Sequence, residues 1–129
     1  MNIEKIFSEL FIDFSQKFEC EPKSIKALLF KREDTGEIDI NLYLNNSFKT
    51  KIDIQRDILK LKMDFMGKTF MVKQVLNIFL GAYKEELQCE EKDIFVHIEP
   101  RSNEDTRPII ALKKGNDFVR WISLDEFNL

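Results

Sequence analysis

The sequence predicts an α+β fold, in which two amphipathic helices lie on one face of an antiparallel meander sheet. Three observations predict it. Apolar residues recur with helical spacing in two segments, they alternate with polar residues in short segments after each helix, and the second half of the chain resembles the first. The predicted order of elements is αββββαβββ, arranged as a two-layer sandwich.

The composition fits a single domain that spans residues 1–129. An apolar content of 43% with twelve phenylalanines is enough to fill a core. The net charge of −3 and the isoelectric point near 5.3 argue against a strongly basic surface, so bulk attraction to nucleic acid or to an anionic membrane is not indicated. The chain has no run of about 20 apolar residues and no signal-peptide pattern, which predicts a soluble, cytoplasmic protein.

The first predicted helix covers residues 3–18. Its apolar residues fall on one stripe of a helix, and its charged and polar residues lie on the opposite side. The stripe consists of Ile3, Ile6, Phe7, Leu10, Phe11, Phe14 and Phe18. Such a stripe is typical of a helix that packs against a sheet.

Three strands are predicted after this helix, at residues 24–31, 38–44 and 48–54. Within them, Ile38, Ile40 and Leu42 alternate with polar residues, as in a strand with one buried face. Residues 33–36 end in a glycine, and residues 45–47 are two asparagines and a serine. Both stretches are therefore predicted turns.

A fourth strand is predicted between the two halves of the chain. From residue 59 to 65, apolar residues alternate strictly with charged ones, among them Lys60 and Lys62. Lysine on the outward side suits the edge of a sheet, where charge discourages pairing with another chain. The segment 55–70 is thus a strand-containing connection, with a turn at residues 67–69.

The second half carries the same pattern at an offset of 69 residues, which becomes 70 after an insertion in a loop. The offset pairs Ile25 with Ile94 and superimposes the two helical stripes. The second stripe consists of Val72, Val75, Leu76, Phe79, Leu80, Tyr83 and Leu87, and strands follow at 93–99, 109–113 and 118–124. We predict αβββ pseudo-repeats at residues 2–54 and 71–124, although unrelated units with the same periodicity could also look alike.

Alternation assigns each strand residue to one of two sheet faces. The face toward the helices is predicted to hold Ile25, Ala27, Leu29, Ile38, Ile40, Leu42, Leu44, Phe48, Ile52, Ile54, Ile94, Val96, Ile98, Ile110, Leu112, Phe118, Ile122 and Leu124. The opposite face is mostly polar in the first half, apart from Leu28 and Phe30. In the second half the equivalent positions are mostly apolar.

This apolar patch of the second half is the predicted binding surface for a partner protein, which could be a second copy of the chain. Its members are Phe95, His97, Ile109, Val119 and Trp121. Aromatic residues are enriched at the centres of protein interfaces. Two alternatives remain open: residues 123–129 or the loop 100–108 could cover the patch, or it could bind a small ligand.

The sequence predicts no catalytic residue, metal site or cofactor. His97 is the single histidine, so multi-histidine zinc sites are excluded, and an enzyme would need a pocket that holds His97 and a carboxylate such as Glu99. Cys20 and Cys89 lack zinc or redox spacing and are predicted to be reduced. The acidic residues between 85 and 105 lack the order of a calcium loop, and the isolated glycines form no phosphate-binding loop.

A modest basic stripe is the alternative working surface, for a nucleic acid. It is predicted from lysines that would share one sheet face, namely Lys49, Lys51, Lys60 and Lys62. Interspersed aspartates and the acidic total charge favour a solubilising or partner-steering role for these lysines instead.

The order of helix, meander, helix and meander resembles that of secretion chaperones and of the duplicated halves of DNA clamps. The resemblance is one of architecture and implies no residue roles. The expected function is that of a non-enzymatic protein-binding module, such as a small chaperone, adaptor, inhibitor or immunity-type protein. A nucleic-acid-associated accessory protein is the second hypothesis.

Overall fold

A computed structural model describes residues 3–52, 62–65 and 68–124 of the chain. It confirms the α+β class, with one six-stranded antiparallel sheet and two helices. The helices are α1 (Ile3–Lys17) and α2 (Val72–Leu87). The strands are β1 (Ile25–Lys31), β2 (Ile38–Leu44), β3 (Ser47–Lys51), β4 (Lys62–Phe65), β5 (Lys68–Met71), β6 (Ile94–Pro100), β7 (Pro108–Lys114) and β8 (Asp117–Ile122).

The connection between the halves differs from the prediction. Strand β4 pairs with β5 in a separate hairpin, with Lys62 opposite Met71 and Phe65 opposite Lys68. The predicted order αββββαβββ is therefore wrong by one strand, and β4 is not an edge of the main sheet. The alternation of side chains predicts that a strand exists, but it does not predict which strand it pairs with. Residues 59–61 of the predicted strand lie outside the described part of the chain.

The main sheet has the strand order β3-β2-β1-β6-β7-β8, so each half of the chain contributes three neighbouring strands. The halves meet where β1 pairs antiparallel with β6. At the middle of this pair Leu28 lies opposite His97, its counterpart at the offset of 69 residues (97 − 28). An approximate twofold axis that relates the two sets of strands therefore passes between these two residues.

Both helices pack their apolar stripes against the same face of this sheet. In α1 the predicted positions from Ile3 to Phe14 are buried, and Phe7 and Phe11 are fully so. Together with the inward-facing residues of the strands they form one continuous core. Among the described helices, neither is long and apolar enough to cross a membrane.

Two phenylalanines that were predicted in the core lie outside it. Phe48 is 60% exposed and Phe118 is 52% exposed. The cause is a β-bulge in each edge strand, where the pairing shifts between Leu42 and Tyr43 and between Leu112 and Lys113. A bulge inserts one residue into a strand, so the residues beyond it point to the opposite face.

Each helix ends on a non-glycine residue in the left-handed region of backbone conformation. The φ angle is 52° at Glu19 after α1 and 50° at Gln88 after α2. The next amide at each end donates to a carbonyl five residues earlier, Cys20 to Ser15 and Cys89 to Lys84. Helices that end in this way usually carry glycine at the left-handed position, because a side chain is strained there.

Replacing Gln88 with glycine is expected to raise the free energy of unfolding by about 1 kcal/mol, because it removes this strain. The matched control is Glu90→Gly, two residues further on, where φ is −80° and glycine relieves no strain; it adds freedom to the unfolded chain and removes an exposed ion pair with Lys92. Urea denaturation of both variants measures the difference. A loss of stability in Gln88→Gly would contradict the assigned helix end.

Candidate protein-binding surface

The sheet face opposite the helices, called the outer face below, presents three rows of side chains across the strands. The central row, from β3 to β8, consists of Lys51, Asn41, Leu28, His97, Ala111 and Trp121. The upper row, from β2 to β8, consists of Asp39, Phe30, Phe95, Lys113 and Phe118. The lower row, from β3 to β7, consists of Phe48, Tyr43, Lys26, Glu99 and Ile109.

Exposed apolar residues of the outer face lie on both edge strands, with Phe48 on β3 and an aromatic pair on β8. Trp121 is 60% exposed, and its ring contacts that of Phe118 edge-on, with the ring centroids 5.3 Å apart. Val119 occupies the bulge and is 38% exposed. The bulge thus adds Phe118 to the predicted patch and places it beside the tryptophan.

The remaining predicted residues lie beside this pair on β6 and β7. Phe95 contacts Phe30 of β1 across the centre of the sheet, with the ring centroids 6.2 Å apart. His97 and Ile109 are half-buried in the central and lower rows. The structure therefore brings four of the five predicted residues to the outer face of one half of the sheet, whereas Val119 occupies the bulge and has no partner in the pairing.

A shallow groove of about 250 Å³ lies in this half of the outer face. Its lining includes His97, Ala111 and Trp121 of the central row. The small side chain of Ala111 lies between two large neighbours, which leaves a depression there. The groove can accept a side chain of a partner, and its lining is mainly apolar, with charged residues at its borders.

The charged residues of the outer face are mostly paired within the chain. Glu99 lies 3.8 Å from Lys26 and 3.4 Å from Lys23. Lys113, in contrast, makes no ion pair with any residue that the structure describes, although it stands between Phe95 and Phe118 in the upper row. A partner that covers this half would bury an ammonium group, which favours a partner with a carboxylate at that point.

Asp39 is nearly buried on the polar half of the outer face. Its side chain is 9% exposed, and its carboxylate lies 2.9 Å from Nζ of Lys51 and 3.7 Å from Nε of Arg32. A buried charge is tolerated when it is paired in this way. The lysine and the arginine are thus held against the sheet.

The environment of His97 favours the neutral imidazole. Burial lowers its pKa, the ammonium groups of Lys113 and Lys26 lower it further, and Glu99 opposes them. His97 and Glu99 both line the groove. Within the described part of the chain, however, the carboxylate is held by Lys23 and Lys26 and not by the imidazole.

The first half of the outer face is more apolar than the sequence predicts. Tyr43 and Phe48 meet edge to face, with the ring centroids 6.0 Å apart, and they join Leu28 and Phe30 on this side of the sheet. Sequence reasoning missed Phe48 because it assumed unbroken alternation after the turn at residues 45–46. Phe48 and Phe118 stand at equivalent places after the two hairpin turns, and alternation alone assigns both to the core, so the sequence pattern gives no signal of the bulge.

The loop after β6 does not cover the outer face. Within it, Thr106 shares a hydrogen bond of 2.6 Å with Ser8 of α1, and the side chain of Asn103 accepts from the backbone amide of Lys23. Both contacts hold the loop toward the helix layer and the end of the sheet. One of the two ways to cover the patch within the chain, by residues 100–108, is therefore wrong.

The same loop contains a tight ion pair. The guanidinium of Arg107 donates to the carboxylate of Asp105 and lowers the pKa of that carboxyl to about 2.

The other proposed cover of the apolar patch, residues 123–129, lies largely outside the described residues. Leu124, the last described residue, packs against the core on the helix side.

The predicted basic stripe is not a continuous surface. Nζ of Lys49 lies 5.2 Å from the ring centroid of Phe18, toward the helix layer, whereas Lys51 binds Asp39 on the outer face. The bulge at Lys49 separates these two lysines. Lys62 belongs to the β4–β5 hairpin, and Lys60 lies outside the described residues.

Other chemistry-bearing groups do not assemble. Over residues 3–52, 62–65 and 68–124, no three histidine, cysteine or acidic side chains are grouped as a metal ion requires. Cys20 and Cys89 are free thiols that pack against the core, and burial raises the pKa of Cys20.

No protein-family model, curated protein or solved structure matches this chain.

Proposed function

We propose that this chain is a non-enzymatic, cytoplasmic protein-binding module that binds another protein through the outer face of β6, β7 and β8. The observation that carries the proposal is the cluster of exposed aromatic residues on an otherwise regular sheet, with Trp121 at 60% and Phe118 at 52% exposure. Large aromatic side chains in such a position are typical of the residues that dominate binding energy. A small chaperone, adaptor, inhibitor or immunity-type protein would use such a surface.

The organisation of the surface supports binding of a folded partner or an extended segment. The groove beside Trp121 offers a place for an inserted side chain, and Lys113 offers a charge for a carboxylate. The helix side of the protein lacks this combination among its described residues, where the large exposed apolar residues are Ile12 and Ile78. The outer face is thus the better binding surface.

We further propose that residues 2–54 and 71–124 arose by duplication of one αβββ unit. Three structural correspondences support it. Both units have the order helix, short 3-10 turn and three strands, their edge strands are bulged at equivalent places, and Leu28 pairs with its counterpart His97. In this proposal, the second copy gained the apolar outer face while both copies kept the core.

Replacing Trp121 with aspartate is the test of the binding surface. We expect at least a tenfold loss of affinity for the partner with unchanged helix content, since the change replaces the most exposed aromatic ring of the proposed surface with a charge. The matched control is Ile78→Asp, because Ile78 is also a large exposed residue, at 48%, but lies on α2. Light scattering measures self-association, and binding of copurified, identified proteins is titrated by calorimetry.

The proposal fails if Trp121→Asp binds like the wild type, or if both variants lose binding equally. The nucleic-acid alternative has less support, because Lys49 and Lys51 point away from each other. Salt-dependent binding to DNA or RNA that is lost on replacing both lysines would favour that alternative instead.

A further inference from the structure

We propose that the outer face binds a second copy of this chain, with the two sheets stacked face to face around a twofold axis. The axis is parallel to the strands and lies between β1 and β6. The inference rests on the proposed function and names its partner. It also extends the surface to both halves of the sheet, as the exposed Phe48 and the Tyr43 beside it suggest.

The size of the outer face favours a partner that covers all of it. Six strands about 4.8 Å apart and about seven residues long give a flat area of roughly 600 Å². A stable interface buries about 800 Å² of accessible surface on each partner, and corrugated side chains carry more accessible surface than their flat projection. A partner confined to β6, β7 and β8 covers roughly 300 Å² of this flat area, whereas a second sheet of the same size covers the whole.

The edges of the sheet favour stacking over edge-to-edge pairing. Both edge strands, β3 and β8, are bulged. A bulge interrupts the row of backbone hydrogen-bonding groups and twists the edge, which discourages the addition of another strand. Self-association is therefore directed to the face.

The charges of the lower row match across the proposed axis. Lys26 and Glu99 flank it at equal distances, since they lie on the neighbouring strands β1 and β6. Stacking places Glu99 over Lys26 of the second copy, and Lys26 over Glu99 of the second copy. Stacked sheets are inclined by about 30°, which displaces these side chains by about 4 Å, within reach of a lysine.

The other two rows match in the same way. In the upper row, Lys113 faces Asp39 of the second copy and Phe95 faces Phe30 of the second copy. In the central row, Trp121 faces Lys51 of the second copy, a pairing of an aromatic ring with a cation. No like charges face each other among these described positions.

An axis perpendicular to the strands gives a much poorer match. It would place Lys51 against Lys51 of the second copy, and Lys26 and Glu99 against Phe30 and Phe95 of the second copy. Two like charges would then meet, and the carboxylate of Glu99 would be buried against an aromatic ring, which is costly. The charge pattern therefore selects the axis parallel to the strands.

The test uses two variants with opposite charges, Lys26→Glu and Glu99→Lys. Each variant alone places like charges across the axis, so we expect its dimer dissociation constant to rise at least tenfold. In an equal mixture, the carboxylate introduced at position 26 faces the ammonium introduced at position 99, and dimers reform as heterodimers. The ion pair between positions 26 and 99 within each chain stays broken in both variants of the mixture. Recovery of the dimer in the mixture therefore reports on contact between chains.

Sedimentation equilibrium measures the mass of the wild type, of each variant and of the mixture, and circular dichroism verifies the fold of each. A dimeric wild type, weakened variants and recovery on mixing support the proposal. A wild type that is monomeric up to about 1 mM, or variants that fail to recover on mixing, overturn it. If the wild type is monomeric but binds a different protein that Trp121→Asp no longer binds, the proposed binding surface is supported. Only the assignment of a second copy as the partner is then wrong.

Discussion

Replacing Phe11 with alanine is expected to lower the free energy of unfolding by about 3–5 kcal/mol. Phe11 is fully buried on α1, and its ring centroid lies 6.4 Å from that of Phe7. The change removes a large apolar side chain and leaves a cavity that close-packed neighbours fill only in part. A loss of this size is a large fraction of the total stability of a domain of this length.

The matched control is Phe118→Ala, in which the same side chain is removed from a position that is 52% exposed. We expect a loss of less than about 1 kcal/mol there, because the side chain already contacts water. Chemical denaturation at low protein concentration, where association adds no stability, measures both changes. Equal losses would show that Phe118 belongs to the core and that β8 has no bulge.

Replacing Lys51 with methionine is expected to lower the free energy of unfolding by about 1–3 kcal/mol. The change removes the ammonium group 2.9 Å from the nearly buried carboxylate of Asp39. Arg32 remains 3.7 Å away, but its guanidinium also binds Asp34. The carboxylate would thus be left with incomplete compensation, which is the main cost of breaking such a pair.

A second substitution separates this effect from a loss of packing. Adding Asp39→Asn to the Lys51→Met variant removes the uncompensated charge, so we expect the double variant to recover part of the loss. Lys114→Met, at the end of β7, is the control for removing an exposed lysine. A full additive loss in the double variant would mean that Asp39 and Lys51 do not interact.

The helices and most of the core were predictable from the sequence, because helical spacing and strict alternation are local properties. These periods run without interruption from Ile3 to Phe14 on α1 and from Ile38 to Leu42 on β2. The apolar residues of both segments are buried as predicted, except Ile12, which lies off the stripe. The pairing of β4 with β5 was not predictable in this way. A strand carries the same alternation whether it joins the main sheet or forms a separate hairpin.

The candidate surface was predictable only as far as the strands are regular. Alternation correctly assigned four residues of regular strands to the outer face, namely Phe95, His97, Ile109 and Trp121. Phe48 was assigned to the core because no rule of alternation includes an extra residue in a strand. The bulge depends on the geometry of the whole edge strand and its turn.

The pairing of β1 with β6 joins residues that are 65 to 71 positions apart in the chain (95 − 30 and 98 − 27). During synthesis, β1 therefore leaves the ribosome well before its partner on that side exists. The nascent first half carries an open edge in the middle of the future sheet, next to Leu28 and Phe30, where a foreign strand could add. In the growing chain, this edge is closed only when β6 of the second half pairs with β1.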